Sequence, residues 1–298
     1  MKKVFILFGL CSISFLLISW GYSGHATIGK KCTESFPVTM SCFLPWADSI
    51  ANHSSDADFR KSQDPTESMR HYLDIDNYSE FVATGRIPST YDSVVGIHGL
   101  EFVEQEGILP WATINKYDSI KMSFQLHDWE SALRQIYDLS HYVGDGHMPL
   151  HITRNFNGNF TEQTGVHSRY ESSMVGYNID ALDNYSGDSV HFISDVNKYV
   201  FNYLYHNYLY IDSILNADTY AQNLAGNTNS ALYYQTLFSK TKDFTTLLLH
   251  NASLALADLI YTAWIEAGSP QFTVGISSNS LSDKLQMDIY PNPVSAFA

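Results

Sequence analysis

Basic residues are scarce in this 298-residue chain: 17 lysines and arginines stand against 31 aspartates and glutamates, a formal net charge of -14. Such a surface repels phosphate backbones and anionic headgroups unless bound cations invert the local field, so composition argues against a basic nucleic-acid groove and leaves a metal-dominated pocket open. Cysteine is scarcer still, at three residues. That excludes the Cys-rich donor sets of closed structural zinc sites. The chain also lacks a His-Glu-x2-His pair, which removes the usual helix-borne metalloprotease site. It has no phosphate-binding loop, internal repeat or heptad seam. Glycine and proline are missing from two long stretches, Ser189 to Ile214 and Ser230 to Ala267, both rich in Leu, Tyr, Phe and Ala. Their absence favours helices over strands there.

The chain opens with Lys2 and Lys3, an almost wholly apolar run from Val4 to Ile18, and the small Ser19. This pattern predicts a secretory signal over residues 1–19, cleaved after Ser19, and hence a secreted, periplasmic or cell-surface protein. The run is shorter than the ~20 residues of a spanning helix, and no second span is expected later in the chain, so a stable membrane span is not expected. Without Lys2 and Lys3 the charge of -14 becomes -16, and Trp20 becomes the amino terminus. Cys11 leaves with the leader. Cys32 and Cys42 remain as an even pair in an oxidising compartment, where a disulfide between them is expected.

Residues 141–151, His-Tyr-Val-Gly-Asp-Gly-His-Met-Pro-Leu-His, carry the densest set of potential metal ligands. His141 and Asp145 lie four apart, so on a helix they project from one face at a spacing that one cation can bridge. His151 follows from the turn around Pro149. A second pair with the same spacing, His167 and Glu171, completes three imidazoles and two carboxylates, an N/O mixture that suits zinc. A lone His-x3-Asp is more often a surface helix pair; two pairs plus His151 make a site candidate. The host helix is expected over Asp128 to Gly146, with Trp129, Leu133, Ile136, Tyr137 and Ser140 on its packing face and Asp138, His141 and Asp145 on the other. Asp138 is then a candidate to orient a ligating imidazole. Pro110 suits a helix start, with helix running to about Leu126. The whole reads as one all-α domain from 20 to 268. A linker and a C-terminal segment ending in Tyr290-Pro-Asn-Pro-Val follow, over 269–298.

Trp20, His25, Asp56, His71, His141, Asp145, His151, His167 and Glu171 resemble, in order, the ligands of the superfamily that joins zinc-dependent phospholipase C to the single-strand-specific zinc nucleases. His-Tyr-Val-Gly-Asp-x3-Pro-Leu-His resembles the core motif of both branches. Asn155-Phe-Asn-Gly-Asn and Gly165-Val-His-Ser-Arg-Tyr-Glu resemble the phospholipase C-type branch, whereas the five-residue step from Trp20 to His25 is similar to the nucleases. Asp48, in Trp46-Ala-Asp, also looks like a nuclease ligand but lies far from His71 along the chain. The resemblance implies an all-helical fold holding three zinc ions. Asp56, His71, His141 and Asp145 would hold the first; Asp58 is the alternative to Asp56. His151, His167 and Glu171 would hold the second, and the Trp20 amine and carbonyl with His25 and Asp145 the third. It implies attack of a zinc-bound hydroxide on a phosphodiester phosphorus, with Asp56 orienting the water. The Tyr-Pro-Asn-Pro-Val segment resembles the opening of a type nine secretion sorting domain, so the secretion machinery is a further expected partner.

Two substrate classes follow: a phospholipid headgroup, which the second half of the motif and the acidic charge favour, or single-stranded nucleic acid. Tyr72 and Asp74, beside His71, are candidate substrate contacts, the ring for stacking on a base, although a core aromatic and a capped turn would look the same in sequence. The remaining alternative is a secreted, non-catalytic zinc-binding protein.

Overall fold

A computed structural model describes residues 21–271, and among them every regular element is helical. Residues 1–20, with the expected signal segment and Trp20, and the C-terminal segment beyond Gln271 lie outside the described residues. The expectation of an all-α fold holds.

The chain begins with α1 (Gly21–Lys31) and two 3-10 segments, Cys32–Ser35 and Val38–Trp46. The short α2 (Ala47–His53) and α3 (Asp56–Arg60) follow, then the 3-10 turns Ser68–His71 and Ile75–Asn77. Three more short helices, α4 (Ser79–Thr84), α5 (Tyr91–His98) and α6 (Leu100–Gln105), lead to α7 (Leu109–Gln125) and α8 (Trp129–Gly146). A 3-10 turn, Pro149–Ile152, precedes α9 (Val166–Ser168), which runs through a π-helical turn, Arg169–Met174, into α10 (Val175–Leu182). The chain then forms α11 (Val196–Tyr208), α12 (Ile211–Ala225) and the long α13 (Ala231–Glu266).

The starts of these helices follow from their sequence. Asp128 caps α8 by accepting from the Ser131 amide, Asp195 caps α11 at Lys198, and Ser230 caps α13 at Tyr233. Pro110 occupies the first turn of α7, where it costs no hydrogen bond. Gly226 in the left-handed region ends α12.

The stretch 189–214 differs from expectation, for it is not one helix. Residues 189–195 run extended across α13, where side chains replace a helix as partners for the backbone: Asp258 accepts from the His191 amide at 2.7 Å and Thr262 from the Ile193 amide at 3.0 Å. The chain breaks again between α11 and α12. The view of α13 also changes. By length and composition this 36-residue helix could cross a membrane, contrary to the expectation that no later stretch qualifies, yet most of its apolar window is buried inside the protein. Leu248, Leu249, Ala252, Leu256, Leu259, Ile260 and Ala263 are all fully or almost fully buried, and the helix packs on α1, α7, α8 and α12.

The core has two lobes that meet at α8. The larger joins α1, α7, α8, α12 and α13 through residues such as Ile28, Ile120, Ile136, Leu139 and Val143. The smaller gathers Leu73, Ile75, Tyr78, Trp111, Phe201 and Leu204 around Tyr142. Val143 therefore faces one lobe and Tyr142 the other, with His141 beside them. From Asp138 to Gly146 every residue of α8 is buried. The expected division into a packing face and a polar face fails in this half, because the polar face is itself enclosed.

The expected disulfide is not formed. Cys32 and Cys42 are both free and do not come within disulfide distance. Cys32 is buried, its Sγ directed at the Gly29 carbonyl at 3.2 Å, and burial pushes its thiol pKa up.

Candidate metal centre

Three groups of side chains bring ligand atoms together, within 4.8 Å of one another in each group: His25, His141 and Asp145; Asp58, His71 and His141; His151, His167 and Glu171. All are buried. The structure thus brings together every expected ligand among the described residues except Asp56.

α8 provides the hub. His141 and Asp145 point the same way, four residues apart, and Asp145 divides its oxygens between two groups: Oδ1 is 3.5 Å from Nε2 of His25, Oδ2 is 3.0 Å from Nδ1 of His71 and 3.3 Å from Nε2 of His141. α1 brings His25 flat against His141, with ring centroids 4.1 Å apart. Gly144 makes that approach possible, since a Cβ at this position would lie 2.7 Å from Nδ1 of His25. His71 comes from the 3-10 turn before Tyr72, and Asp58 from α3, with Oδ1 3.5 Å from His141 Nε2 and 3.6 Å from His71 Nδ1.

Asp56 is a correction. Asp56 and Asp58 sit two apart on a single turn of helix, which turns them to different sides. Asp58 faces inward and is buried, whereas Asp56 is half exposed and pairs with His53 at 2.8 Å. The aspartate that stands with His71 and His141 is thus Asp58, the expected alternative to Asp56. Asp48 is likewise on the surface, paired with Lys30.

The third group is assembled by α9 and the π-helical turn. Gly165, at φ +91°, starts α9 from a left-handed position, and His167 and Glu171 then straddle the change from α to π winding. Nε2 of His167 is 2.6 Å from Glu171 Oε2, and Nε2 of His151 is 3.4 Å from Oε1. A buried anchor fixes this turn: Arg169 reaches both oxygens of Asp218, which also accepts from Tyr233 and Gln163.

The tautomers point the donor atoms inward. A carbonyl can only accept, so Nδ1–H of His141 donates to Ser54 O and Nδ1–H of His151 to His71 O, both at 2.7 Å. Each Nε2 is then the atom left to face its group. Nε2 of His141 and Nδ1 of His71 stand 2.9 Å apart, a distance at which two lone pairs repel unless a proton or a metal ion lies between them. Both oxygens of Glu171 are buried and lack a hydrogen bond of sound geometry, although two imidazole nitrogens are close. Converging lone pairs and an under-satisfied buried carboxylate fit cations, since unpaired buried charge costs several kcal/mol. His/carboxylate donors suit divalent ions of the first transition row.

Electrostatics describe what the donors do without a metal. Burial pushes the His141 imidazole down, but Asp145 and Asp58 outweigh it and hold its pKa at about 10, so a proton stands where a metal ion would. Burial pushes Asp58 and Asp145 up; His141 outweighs it in both, and the carboxyls lie well below the ordinary range. Glu171, buried beside His167 and His151, is lowered in the same way. His25 is lowered, by burial first and then by His141.

Two neighbours escaped the sequence reading. Lys61 sits at the edge of the centre, its Nζ 2.7 Å from Asp58. Glu67 is buried behind His71, with Oε1 3.3 Å from His71 Nε2. Their signals are an i,i+3 spacing to Asp58 and an i,i+4 spacing to His71. Asp138 does not have its expected role among the ligating imidazoles: it holds Arg60 and Lys116, each at 2.8 Å. Tyr72 is half buried with its hydroxyl donating to Gln105 O. Asp74 is half buried near Glu106 and Asp76; burial first, then those carboxylates, push its pKa up to about 7. Trp20 lies outside the described residues.

No protein-family model matches the chain, and no curated protein matches its sequence.

Proposed function

We propose that this chain is a secreted, zinc-dependent phosphodiester hydrolase of phospholipase C type. The observation that carries this reading is that His141 belongs to two adjacent ligand groups and Asp145 reaches His25 in one and His71 in the other, with a third His/Glu group nearby. Such a donor set places cations close together, as two-metal phosphoryl chemistry requires. Zinc fits the donors: three imidazoles with two carboxylates around α8, two imidazoles with Glu171 around α9, and no thiolate. The resemblance in ligand order and motif supports the same class, and the apolar opening segment supports export.

Bound ions would supply a water of lowered pKa and positive charge for the phosphoryl oxygens. The chain's own residues do the rest. Asp58, ionised and beside Lys61, can accept a hydrogen bond from a water at the edge of the first two groups and so orient it, the role the resemblance assigns to the neighbouring Asp56. The Lys61 ammonium adds a cation for an anionic diester in an otherwise acidic protein. Phe156, partly exposed with its ring against His167, offers an apolar face beside the third group. That ring would suit a quaternary ammonium headgroup.

The second reading, a single-strand-preferring nuclease, is favoured by the same ring, which could stack on a base. The net charge of -14 weighs against a long polyanion. Turnover on phosphatidylcholine vesicles, a short choline phosphodiester and single-stranded DNA, with and without chelator, tests both. The proposal expects chelator-sensitive cleavage with the choline diesters ahead. Tenfold faster cleavage of DNA selects the nuclease, and full activity in protein shown to be metal-free contradicts both.

A further inference from the structure

Glu67 is a buried carboxylate outside the ligand groups that stands directly behind one of their imidazoles, His71. It is 1% exposed, yet it lies in the loop between α3 and the 3-10 turn that carries His71. Four side chains converge on it. Tyr142 donates its hydroxyl to Oε1 at 2.5 Å, Arg70 donates Nη1–H to Oε2 at 2.7 Å, Arg60 approaches Oε2 through Nε at 3.3 Å, and Nε2 of His71 stands 3.3 Å from Oε1 on an oblique line. Arg60 is itself fixed by Asp138, which also holds Lys116. The carboxylate is therefore clamped on the far side of His71 from Asp58, Asp145 and His141.

This placement decides which His71 nitrogen carries the proton. An ionised carboxylate accepts and cannot donate, so it favours the tautomer with hydrogen on Nε2. The lone pair is then on Nδ1, the atom that faces Asp145 Oδ2 at 3.0 Å and His141 Nε2 at 2.9 Å. Two other imidazoles of the ligand groups, His141 and His151, are set by backbone carbonyls through Nδ1 and face their groups through Nε2. His71 is reversed, and a side-chain carboxylate takes the place of the carbonyl. Carboxylate–imidazole–metal arrangements of this kind orient the ring and raise its basicity as a ligand.

We infer that Glu67 is a positioning residue for the metal centre: clamped by Tyr142, Arg70 and Arg60, it holds His71 in its Nδ1-ligating tautomer and so sets the metal affinity of the Asp58–His71–His141 group. The inference rests on the metal-centre reading above, but it does not depend on which ester, if any, the protein cleaves.

The test is competition of the mature protein with a chromophoric chelator for zinc, comparing wild type, Glu67→Gln and Glu67→Ala, with the melting temperature of each metal-free form as a control. Gln keeps the shape and the acceptor oxygen for Tyr142, so it separates loss of charge from loss of fold. Both variants should bind one ion about 10–100-fold more weakly while the remaining sites keep wild-type affinity, with Gln less affected than Ala. A purely structural Glu67 would lower the metal-free melting temperature and leave zinc affinity unchanged at every site; that result overturns the inference and leaves the metal centre standing. A wild-type protein that takes up no zinc overturns the inference together with the reading beneath it.

Discussion

At the scale of single residues, the inner and outer faces of one short helix separate a candidate ligand from a surface carboxylate. Asp58 is buried against His71 and His141, and Asp56 is half exposed against His53. Asp58→Ala should therefore remove one bound ion and reduce phosphodiester turnover by a factor of about 100 or more, on the order of losing a metal ligand. Asp56→Ala should retain metal content and activity within about twofold; elemental analysis and turnover of the two variants side by side check this. Asp74 gives a pH effect of definite sign. Its folded pKa of about 7 lies above the ordinary 3.8, so the native state binds the extra proton between those values. The stability this contributes is present below about pH 4 and is lost as pH rises through 7. Asp74→Asn should accordingly melt with wild type at pH 4 and a few degrees above it at pH 8, measured on metal-free protein. Equal melting temperatures at both values would show that the buried carboxyl ionises without cost.

At the scale of elements, α8 was the most readable part of the chain. Its cap at Asp128, its length and the shared direction of His141 and Asp145 all follow from local spacing. So does the pairing of His167 with Glu171, although the π-helical winding between them does not, because it depends on the distant Asp218 gripping Arg169. The sequence does not distinguish Asp56 from Asp58 for a similar reason: one turn of helix has no internal mark of which side the rest of the molecule covers. The stretch 189–214 was misread because its hydrophobicity matched a helix, while Asp258 and Thr262 on α13 captured its backbone amides. The even count of two cysteines also misled, since the first lies buried at the end of α1 and does not meet the second. Contact between α1 and α8 gives a prediction at this scale. Gly144→Ala would force His25 aside, and zinc held by the His25–His141–Asp145 group should weaken about tenfold or more with helix content unchanged by circular dichroism. Wild-type affinity would mean that the two helices can part without disturbing the ligands.

At the scale of the whole molecule, two hydrophobic lobes close around a polar seam. α8 runs between them, and its second half is enclosed on all sides although it carries two candidate ligands, His141 and Asp145. Three buried carboxylates, Asp58, Asp145 and Glu171, are set among five imidazoles with one ammonium at the edge. Without metal this arrangement depends on protons held at raised pKa values, as His141 shows. With divalent ions the same donors are satisfied, and binding is coupled to proton release and to folding stability. The decisive measurement is the metal-to-protein ratio of the purified chain after extensive dialysis, read by elemental mass spectrometry and followed by zinc titration of the stripped protein. The ligand groups predict three ions per chain when the amino terminus begins at Trp20 and at least two when it is blocked. A ratio well below one, with no uptake of added zinc by folded protein, would contradict the account.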